Sequence, residues 1–425
     1  MTDRVFINTP YSAYLNRAEA KEDVELTHVG PGTPGGEYLR RFWQPVGFAA
    51  DLRNRPKRIR ILGEDLVLFR DGAGRYGVLQ LYCSHRGASL EFGVVSEKGL
   101  RCCYHGWLYD VDGKILETPA EAPDAVLNQG MHHGAYPTHV YKGIVFVYMG
   151  PPGMVPAFPI YDTCELPGYR YELTSWVWPA NWVQIRENAM DPAHTYFLHT
   201  VVSGAQFTEN FAAMPEHDFH ETPYGMVYVA NRRVKDFVWT RICEVVLPNV
   251  HSLPSNWNEI TEEKIGVPPF LFDWAVPIDD THTMIIGFYV QVEGSTVDAR
   301  KLLEEVPGQL PNRPYVERQR QPGDYEAQVL GRPISVHSKE YLVPNDRGVV
   351  MFRKLLRQQI RALLNGDKKK QKIERPKEVI RTYAQDTIVR QATAAGGLDE
   401  DRRLLLEIGR KVFAGLYSNK SEHVA

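Results

Sequence analysis

Two short segments decide how the first part of this chain folds: CSHRG, which begins at Cys83, and CCYHGW, which begins at Cys102. Each segment places a histidine close to its first cysteine, His85 in the pattern C-x-H and His105 in the pattern C-x2-H. Two thiolates and two imidazoles satisfy either a zinc ion or a [2Fe–2S] cluster. Because each segment offers one Cys and one His, two loop tips can supply one ligand each to both irons. Zinc ribbons more often contain C-x2-C or H-x3-H pairs, so the spacing favours the cluster.

The other cysteines and two glycines are consistent with this prediction. The chain has five cysteines in 425 residues, which is too few, and odd in number, for a disulfide framework. Cys103 is either an additional ligand or a small packed thiol. Because Cys102 has the correct spacing to His105, we expect Cys103 to be a packing residue. Gly87 and Gly106 follow the ligands closely and let backbone N–H groups approach the sulfur atoms.

Short β-strands are predicted on both sides of these segments. Apolar runs occur at residues 60–62, 66–69, 76–79 and 144–148, and Asp112-Gly113 is typical of a hairpin turn. Pro151-Pro152-Gly153 ends this pattern. We therefore predict an N-terminal arm over residues 1–40, an all-β domain over residues 41–153 and a second domain over residues 154–425.

The second domain mixes strand and helix patterns, which makes the whole chain an α+β protein. Strands of one antiparallel sheet are predicted over residues 224–230, 237–246, 270–276 and 283–292, and helices over residues 181–199, 349–364, 378–391 and 399–416.

A second cluster of polar residues follows the spacing N-x2-D-x2-H-x4-H, at Asn188, Asp191, His194 and His199. Asp191 and His194 are three residues apart and share one face of a helix. His194 and His199 are five apart, so the helix must bend or end between them if both bind one ion. Two imidazoles and one carboxylate form the facial triad of Fe(II) enzymes that activate O2. The alternative is a buried polar helix end in which His199 is a structural histidine.

The two motifs together resemble the α-subunits of Rieske non-haem iron oxygenases over residues 25 to 420, approximately. Respiratory Rieske proteins carry one more Cys in each segment, at the positions of Ala88 and Tyr104, so the chain is similar to the oxygenase and ferredoxin branch instead. The resemblance implies an all-β Rieske [2Fe–2S] domain followed by a helix-grip catalytic domain, an antiparallel sheet with long helices, that holds a mononuclear Fe(II).

The resemblance also implies roles for individual residues. The cluster would be bound by Cys83, His85, Cys102 and His105, and the iron by His194, His199 and an aspartate at the start of a late helix. Asp386 matches that Gln-Asp context best, with Asp399 and Asp401 as rivals by position and a surface carboxylate as the alternative. Asn188 and Asp191 would be catalytic, with Asp191 joining His105 of one subunit to His194 of the next by hydrogen bonds.

Partners follow from the same resemblance. The family forms rings, so a homotrimer or a dimer of trimers is expected. The chain has neither a Gly-rich nucleotide motif nor a plant-type C-x4-C-x2-C set, so electrons from NAD(P)H require a separate flavin and iron–sulfur reductase, with or without a ferredoxin. A net charge of −3 gives no reason to expect nucleic acid or a membrane surface. No apolar run approaches ~20 residues and no secretory signal is visible, so we expect a cytoplasmic protein.

The expected substrate is an aromatic carboxylate. Residues 30–36, 58–65 and 181–184, together with Glu187-Asn188, are similar to the phthalate dioxygenase group, and to the oxygenase component of dehydrodivanillate O-demethylase in particular. We favour O-demethylation of a methoxylated lignin-type acid with release of formaldehyde, and the alternative reaction is cis-dihydroxylation of a phthalate-like acid. A protein of a different class, a Rieske electron carrier without oxygenase activity, is the remaining alternative. Candidates to bind the carboxylate, or to line the pocket, are Arg232, Arg233, Arg241, Phe207, Phe211, Phe270, Phe272 and Trp274.

Overall fold

The computed structural model describes residues 9–10, 21–119, 121–122, 130–298, 301, 305–306, 308–309, 311–368 and 371–418. Most of the first 20 residues of the predicted N-terminal arm therefore lie outside the described residues. Among those described, no helix is both long enough and apolar enough to cross a membrane.

The first part of the chain forms three small antiparallel sheets. Their orders are β1-β11-β10, β2-β3-β4-β9 and β5-β6-β7-β8, and the last of these is built from very short strands. The strands are β1 Trp43–Phe48, β2 Lys57–Ile61, β3 Glu64–Arg70, β4 Tyr76–Gln80, β5 Val94–Ser96, β6 Gly99–Arg101, β7 Leu108–Tyr109, β8 Ile115–Glu117, β9 Ala135–Tyr136, β10 Thr138–Tyr141 and β11 Ile144–Tyr148.

The second part is organised around one large antiparallel sheet. Its order is β12-β19-β18-β16-β15-β14-β13, and β20 pairs with both β15 and β17 beside this path. The strands are β12 Tyr169–Trp178, β13 Glu216–Glu221, β14 Gly225–Val234, β15 Phe237–Val246, β16 Val250–Leu253, β17 Lys264–Val267, β18 Leu271–Asp279, β19 His282–Val292 and β20 Gln385–Arg390. Long buried stretches in β14, β15, β18 and β19 show that both faces of the sheet are covered.

Two long helices and several short ones accompany this sheet. They are α1 Val24–Thr27, α2 Pro34–Leu39, α3 Trp182–Asn188, α4 His194–Tyr196, α5 Tyr315–Arg320, α6 Asp324–Val329, α7 Arg347–Leu364 and α8 Leu398–Ser418. The strongly amphipathic α7 packs against α2 and α3, and α8 packs on β13, β14 and β15. The α+β prediction is confirmed.

Two predicted helices differ from the structure. Residues 378–391 contain the strand β20 instead of a helix, because Thr387, Ile388 and Val389 are β-branched and the segment finds β15 and β17 as partners. The predicted helix over residues 181–199 ends at Asn188 and resumes only at His194.

The two parts of the chain share one apolar core. Buried side chains from the small sheets, such as Val147, belong to the same cluster as Trp274 of the large sheet and Leu356 of α7. The predicted boundary after Gly153 falls between β11 and β12 and stays a prediction. The first metal motif lies at a separate, smaller core, which includes Cys83, Cys102 and Tyr109.

Candidate metal centres

Two loops with the same backbone geometry carry the first motif. In the loop that follows β4, the N–H of Cys83 donates to Ala88 and the N–H of Gly87 donates back to Cys83. In the loop between β6 and β7, Cys102 pairs in the same way with Trp107 and Gly106. Both glycines have positive φ, 74° and 77°, which L-residues with a side chain rarely adopt. The glycines are therefore required for the turn itself.

The four predicted ligands lie together at the tips of these loops. Cys83 and Cys102 are buried free thiols, and the rings of His85 and His105 are 4.6 Å apart. The Nδ1 atom of His85 is buried without a hydrogen-bond partner among the described residues, as expected of an atom reserved for a metal. Burial raises the pKa of the Cys102 thiol, while the backbone N–H groups of Tyr104 and His105 lower it. The donor set fits a [2Fe–2S] cluster.

Residues that the sequence did not single out surround this site. The hydroxyl of Tyr109 lies 2.9 Å from Cys83 Sγ, and Ser84 Oγ lies 2.9 Å from Nδ1 of His133. Cys103, which was expected to pack, is exposed instead, because the tight turn from Cys102 to Gly106 points the side chains of Cys103 and Tyr104 outward. Tyr109 was detectable only as an aromatic residue in a short strand, which gives no sign of a contact with sulfur.

The second motif depends on a local departure from α-helical geometry. His194 begins α4, and residues Phe197–Val202 continue it as a π-helical turn. Because a π-helix bonds residue i to residue i+5, it brings residues five apart onto one face. The rings of His194 and His199 are consequently 5.2 Å apart. The expected bend between the two histidines is present as this π-helical turn.

Asp324 completes a group of three possible ligands with the two histidines. Ligand atoms of His194, His199 and Asp324 all lie within 4.8 Å of one another. The Nε2 atom of His199 is 3.4 Å from one Asp324 oxygen, and that of His194 is 3.9 Å from the other. Two imidazoles and one carboxylate fit a mononuclear Fe(II) with open positions.

The prediction that Asp386 is the third ligand is wrong. Asp386 lies on β20, is fully buried, and accepts a hydrogen bond of 2.7 Å from the indole of Trp239. Burial raises its pKa to about 6. The two rivals are also elsewhere, since Asp399 is exposed at the start of α8 and Asp401 pairs with Arg233.

Asp324 escaped the sequence analysis because it is 125 positions from His199. The one available signal was its place as the first residue of a helix after Pro322-Gly323.

Amide side chains orient the second group of ligands. Gln206 lies 2.7 Å from Nδ1 of His199, which leaves Nε2 to face Asp324. Gln309 and Gln328 each donate to one oxygen of Asp324, at 2.8 Å and 3.0 Å. Although burial raises the pKa of Asp324, the two histidines and these amides lower it below its ordinary value, so the carboxylate is charged.

The two remaining residues of the motif flank this group. Asn188 Nδ2 lies 3.5 Å from an Asp324 oxygen. Asp191 accepts the backbone N–H groups of Ala193 and His194 at 3.0 Å and 3.3 Å, and its backbone oxygen bonds Nδ1 of His194. The Asp191 side chain is 31% exposed, so its carboxylate can be reached from outside the chain.

A cavity of about 160 Å³ opens beside these three ligands. An engineered apolar cavity of about 150 Å³ holds a benzene molecule, so one aromatic ring fits here. Phe207, Phe211 and Phe270 line it as expected, whereas Phe272 and Trp274 belong to the core behind the sheet. Other apolar and aromatic residues of its wall include Trp176, Trp178, Ile185, Leu253, Leu271 and Ile285.

Of the three arginine candidates, Arg241 alone lines the cavity. It is 3% exposed and donates to the backbone oxygen of Ser255 and the side chain of Asn256, while its Nε has no partner among the residues described. Arg232 is buried over the ring of Phe211 and bonds Thr195 instead. The cavity therefore combines a ring-sized apolar space with the buried guanidinium of Arg241 and the possible iron ligands.

Comparison with known proteins gives a family for the first part of the chain. The model of the Rieske [2Fe–2S] domain matches residues 42–142. That range lies within the all-β domain predicted for residues 41–153 and contains all four candidate cluster ligands.

Several curated proteins are similar over most of their length. The oxygenase subunit of tert-butanol monooxygenase / tert-amyl alcohol desaturase from Aquincola tertiaricarbonis is 43% identical, over 82% of this chain and 79% of that protein. The α-subunit of phenoxybenzoate dioxygenase from Ectopseudomonas oleovorans is 38% identical, over 81% and 86%. The 5,5'-dehydrodivanillate O-demethylase oxygenase subunit of Sphingobium sp. strain NBRC 103272 / SYK-6 is 30% identical, over 92% and 94%.

A solved structure has a similar fold. NdmA of Pseudomonas putida CBB5 with caffeine superposes with a TM-score of 0.62 at 21% identity, over 83% of this chain and all of that one. At this identity the likeness concerns the fold alone.

Proposed function

The chain belongs to the oxygenase subunits of Rieske non-haem iron oxygenases, and from that premise we propose that it oxidises an aromatic carboxylate. The family's cofactors are a Rieske [2Fe–2S] cluster and a mononuclear non-haem iron. The observation that carries the proposal is the cavity itself. It is lined by His194, His199 and Asp324 and also by aromatic rings and Arg241.

In this proposal Cys83, His85, Cys102 and His105 hold the cluster, and His194, His199 and Asp324 hold the iron. The cluster supplies electrons and the iron activates O2 when both are bound. The protein's own contribution is to hold the substrate ring among Phe207, Phe270 and their neighbours and to exclude water.

The choice of an aromatic carboxylate rests on charge and size. A buried guanidinium with a free N–H is a good partner for a carboxylate, because charge-assisted hydrogen bonds are about twice as strong as neutral ones. Two of the relatives are named for phenoxybenzoate and dehydrodivanillate, and both compounds are aryl ethers that carry a carboxylate. We therefore favour oxidation next to an ether oxygen, and specifically O-demethylation of a methoxylated acid with release of formaldehyde.

The same proposal includes partners. Electrons come from NAD(P)H through a separate reductase, with or without a ferredoxin. The subunits form a ring, a homotrimer or a dimer of trimers, in which the cluster of one subunit lies beside the iron of the next. Asp191, with its partly exposed carboxylate beside His194, connects the two centres by a hydrogen bond to His105 of the neighbouring subunit.

A substrate screen with the reconstituted system tests this function. Methoxybenzoates, benzoates without a methoxy group and the methyl esters of both are offered, and O2 uptake, formaldehyde and cis-diols are measured. We expect formaldehyde from methoxybenzoates, with the esters turned over poorly. Formation of a cis-diol from the acids without a methoxy group would show that the reaction is dihydroxylation and not demethylation. Equal turnover of acids and esters would contradict the proposal that the substrate carries a carboxylate.

Arg241→Gln provides the matched variant for the anchor. It should raise KM for the acids by about tenfold or more, because one charge-assisted contact is lost, and leave KM for the esters nearly unchanged. Arg233→Gln is the control, since Arg233 pairs with Asp401 and does not line the cavity. An unchanged KM for the acids in Arg241→Gln would contradict the role of Arg241.

A further inference from the structure

A thiol, an imidazole and a carboxylate lie in a row on the sheet side of the cavity. Cys243 Sγ is 3.1 Å from Nε2 of His251, and Nδ1 of His251 is 3.4 Å from an oxygen of Asp273. All three side chains line the cavity that also contains the candidate iron ligands. None of them belongs to either metal-binding set described above.

The sheet register builds this row. His251 on β16 lies directly opposite Asp273 on β18 and opposite Val245 on β15. Because side chains alternate along a strand, Cys243 shares a face with Val245 and reaches His251 diagonally. On the far side, Arg186 of α3 donates to the other oxygen of Asp273 at 2.7 Å, which fixes the carboxylate.

The residues around the Cys243 sulfur include a base. Burial lowers the pKa of His251, but the Cys243 sulfur and the Asp273 carboxylate outweigh burial and raise that pKa to about 9. The imidazole lies within hydrogen-bond reach of the Cys243 sulfur, so it can take the thiol proton when the sulfur attacks an electrophile. A nucleophile within hydrogen-bond reach of a base, which a third group orients, is the general arrangement of an activated nucleophile.

The cavity also offers two further hydrogen-bond donors beside this row. The Nε atoms of Arg186 and Arg241 are buried, line the cavity and have no hydrogen-bond partner in the part of the chain that the structure describes. Both arginines are less than a tenth exposed, Arg186 at 2% and Arg241 at 3%. They can bind the oxygen of a polar ligand that enters next to Cys243.

We propose that Cys243, His251 and Asp273 form a reactive-thiol site that takes small carbon electrophiles entering the substrate cavity. The class comprises haloacetyl compounds and enone or quinone rings, which have about the size of the aromatic ring for which the cavity has room. This inference does not depend on the identity of the substrate, because it rests on the row of three side chains and on the cavity alone.

The chemistry balances without an oxidant or a reductant. With an enone, the Cys243 sulfur forms a bond to the β-carbon and the C=C electron pair moves onto the carbonyl oxygen as an enolate. The enolate takes the proton from Nε2 of His251, the proton that the thiol gave up. With a haloacetyl compound, the sulfur forms the new bond and the halide leaves with its electron pair.

Alkylation of the intact holoenzyme tests the proposal. The protein is treated with a small excess of iodoacetamide or 2-cyclohexenone, and peptide mass spectrometry gives the rate at each cysteine. We expect Cys243 to react faster than the exposed Cys103, although Cys243 is 1% exposed, and the fully buried Cys164 to stay unmodified. Slower reaction at Cys243 than at Cys103, or none, overturns the proposal.

His251→Gln separates activation from mere access. It should lower the alkylation rate of Cys243 by about tenfold or more, since the base that takes the thiol proton is removed, and leave the rate of Cys103 unchanged. His220→Gln is the control, because His220 stacks on Phe413 away from the cavity. Equal rates at Cys243 in the wild type and in His251→Gln overturn the proposal. If His251→Gln does not fold, the comparison of Cys243 with Cys103 in the wild type decides.

Discussion

Asp324 and Asp386 are both buried carboxylates, and their surroundings shift their pKa values in opposite directions. Asp324 faces two imidazoles and two amide donors, and these lower its pKa although burial raises it. Asp386 faces the indole N–H of Trp239, and burial raises its pKa to about 6. A divalent cation is stabilised by the charged carboxylate that two imidazoles accompany, which is Asp324.

The first prediction compares the two aspartates as matched variants. Asp324→Asn should lose the mononuclear iron and all turnover, lowering the iron content from about three to about two per chain, while the cluster spectrum is kept. The Asp386→Asn variant should retain about three iron atoms per chain, because Asp386 is not an iron ligand in this assignment. Iron analysis together with the visible spectrum measures both. Loss of iron from Asp386→Asn with full occupancy in Asp324→Asn would reverse the assignment.

At this scale the sequence predicts what is local. His194 and His199 are recognisable because five positions separate them, and each cluster segment carries its two ligands within four residues. Asp324 is brought to the histidines by the path of the chain through the large sheet, and nothing next to Asp324 in the sequence encodes that path. The Gln-Asp pair at residues 385–386 has the residue types expected at the third ligand, but it lies on a strand and not at the start of a helix.

A second prediction concerns the hydroxyl of Tyr109, which lies 2.9 Å from Cys83 Sγ. A hydrogen bond to a cluster sulfur stabilises the reduced state, because reduction adds negative charge there. Tyr109→Phe should therefore lower the reduction potential by roughly tens of millivolts, without loss of iron. Redox titration of the cluster measures the shift, and Tyr104→Phe, at the exposed loop tip, is the control. An unchanged or raised potential would contradict the contact.

At the scale of elements, ion pairs on two sides attach α3, which leads into the iron motif. Arg186 bonds Asp273 of the sheet at 2.7 Å, and Glu187 receives two hydrogen bonds of 2.7 Å from Arg353 of α7. Because both contacts are buried, neither residue can lose its partner without leaving a charge in a low dielectric. The short helix is thus fixed to both layers between which the cavity lies.

The third prediction removes one of these attachments. Arg353→Met should reduce the free energy of unfolding by about 3–5 kcal/mol, because Glu187 then remains as a buried charge without its partner. The double variant Arg353→Met/Glu187→Gln should recover part of the loss. Arg402→Met is the control, since its pair with Glu216 is half-exposed and worth about 0–1 kcal/mol. Denaturant unfolding measures all four proteins, and a loss in Arg353→Met no larger than in the control would contradict the role.

Element types were predictable where the pattern was long and regular. Strand β15 was predicted with its observed bounds, and α7 was predicted to within two residues of its start. The π-helical turn and β20 were not, for two different reasons. A π-helical turn has no residue pattern of its own in the sequence, and β20 depends on β15 and β17 as partners as well as on its β-branched residues.

The pH dependence of the folded state involves the centre of the large sheet. Burial raises the pKa of Glu244 on β15 to about 8, although the backbone N–H groups of Tyr383 and Ala384 lower it. The unfolded carboxyl has a pKa of 4.5. Because the folded state favours the neutral form, its stabilisation is complete below pH 4.5 and is lost as the pH rises through about 8.

The fourth prediction follows from that sign. The difference in stability between the wild type and Glu244→Gln should change by on the order of a few kcal/mol between acidic and alkaline pH, with the wild type losing more as the pH rises. Thermal unfolding of both proteins at several pH values measures this difference. Glu221→Gln is the control, because Glu221 pairs with Lys372 at the surface. Parallel curves for the wild type and Glu244→Gln would contradict the buried neutral carboxyl.

At the scale of the whole molecule, the two candidate metal centres have exposed approaches. His85 and His105 are only partly buried at the loop tips, next to exposed Tyr82 and Tyr104. At the other centre, Asp191 and the side chains of Phe197 and Val201 face outward. Exposed apolar residues beside both sites are what a contact between copies of the chain requires. This arrangement supports the proposed ring, in which one subunit's cluster serves the iron of its neighbour.

The fifth prediction tests that ring with two inactive subunits. Cys102→Ser removes a cluster ligand and Asp324→Asn removes an iron ligand, so each protein alone should be inactive. In a head-to-tail ring assembled at random from equal amounts, roughly a quarter of the interfaces place an intact cluster beside an intact iron. Coexpression of the two differently tagged chains should therefore restore about a quarter of wild-type turnover per site. Separately assembled proteins mixed without exchange are the control. If each cluster instead reduced the iron of its own chain, the coexpressed oligomer would stay as inactive as its two parents.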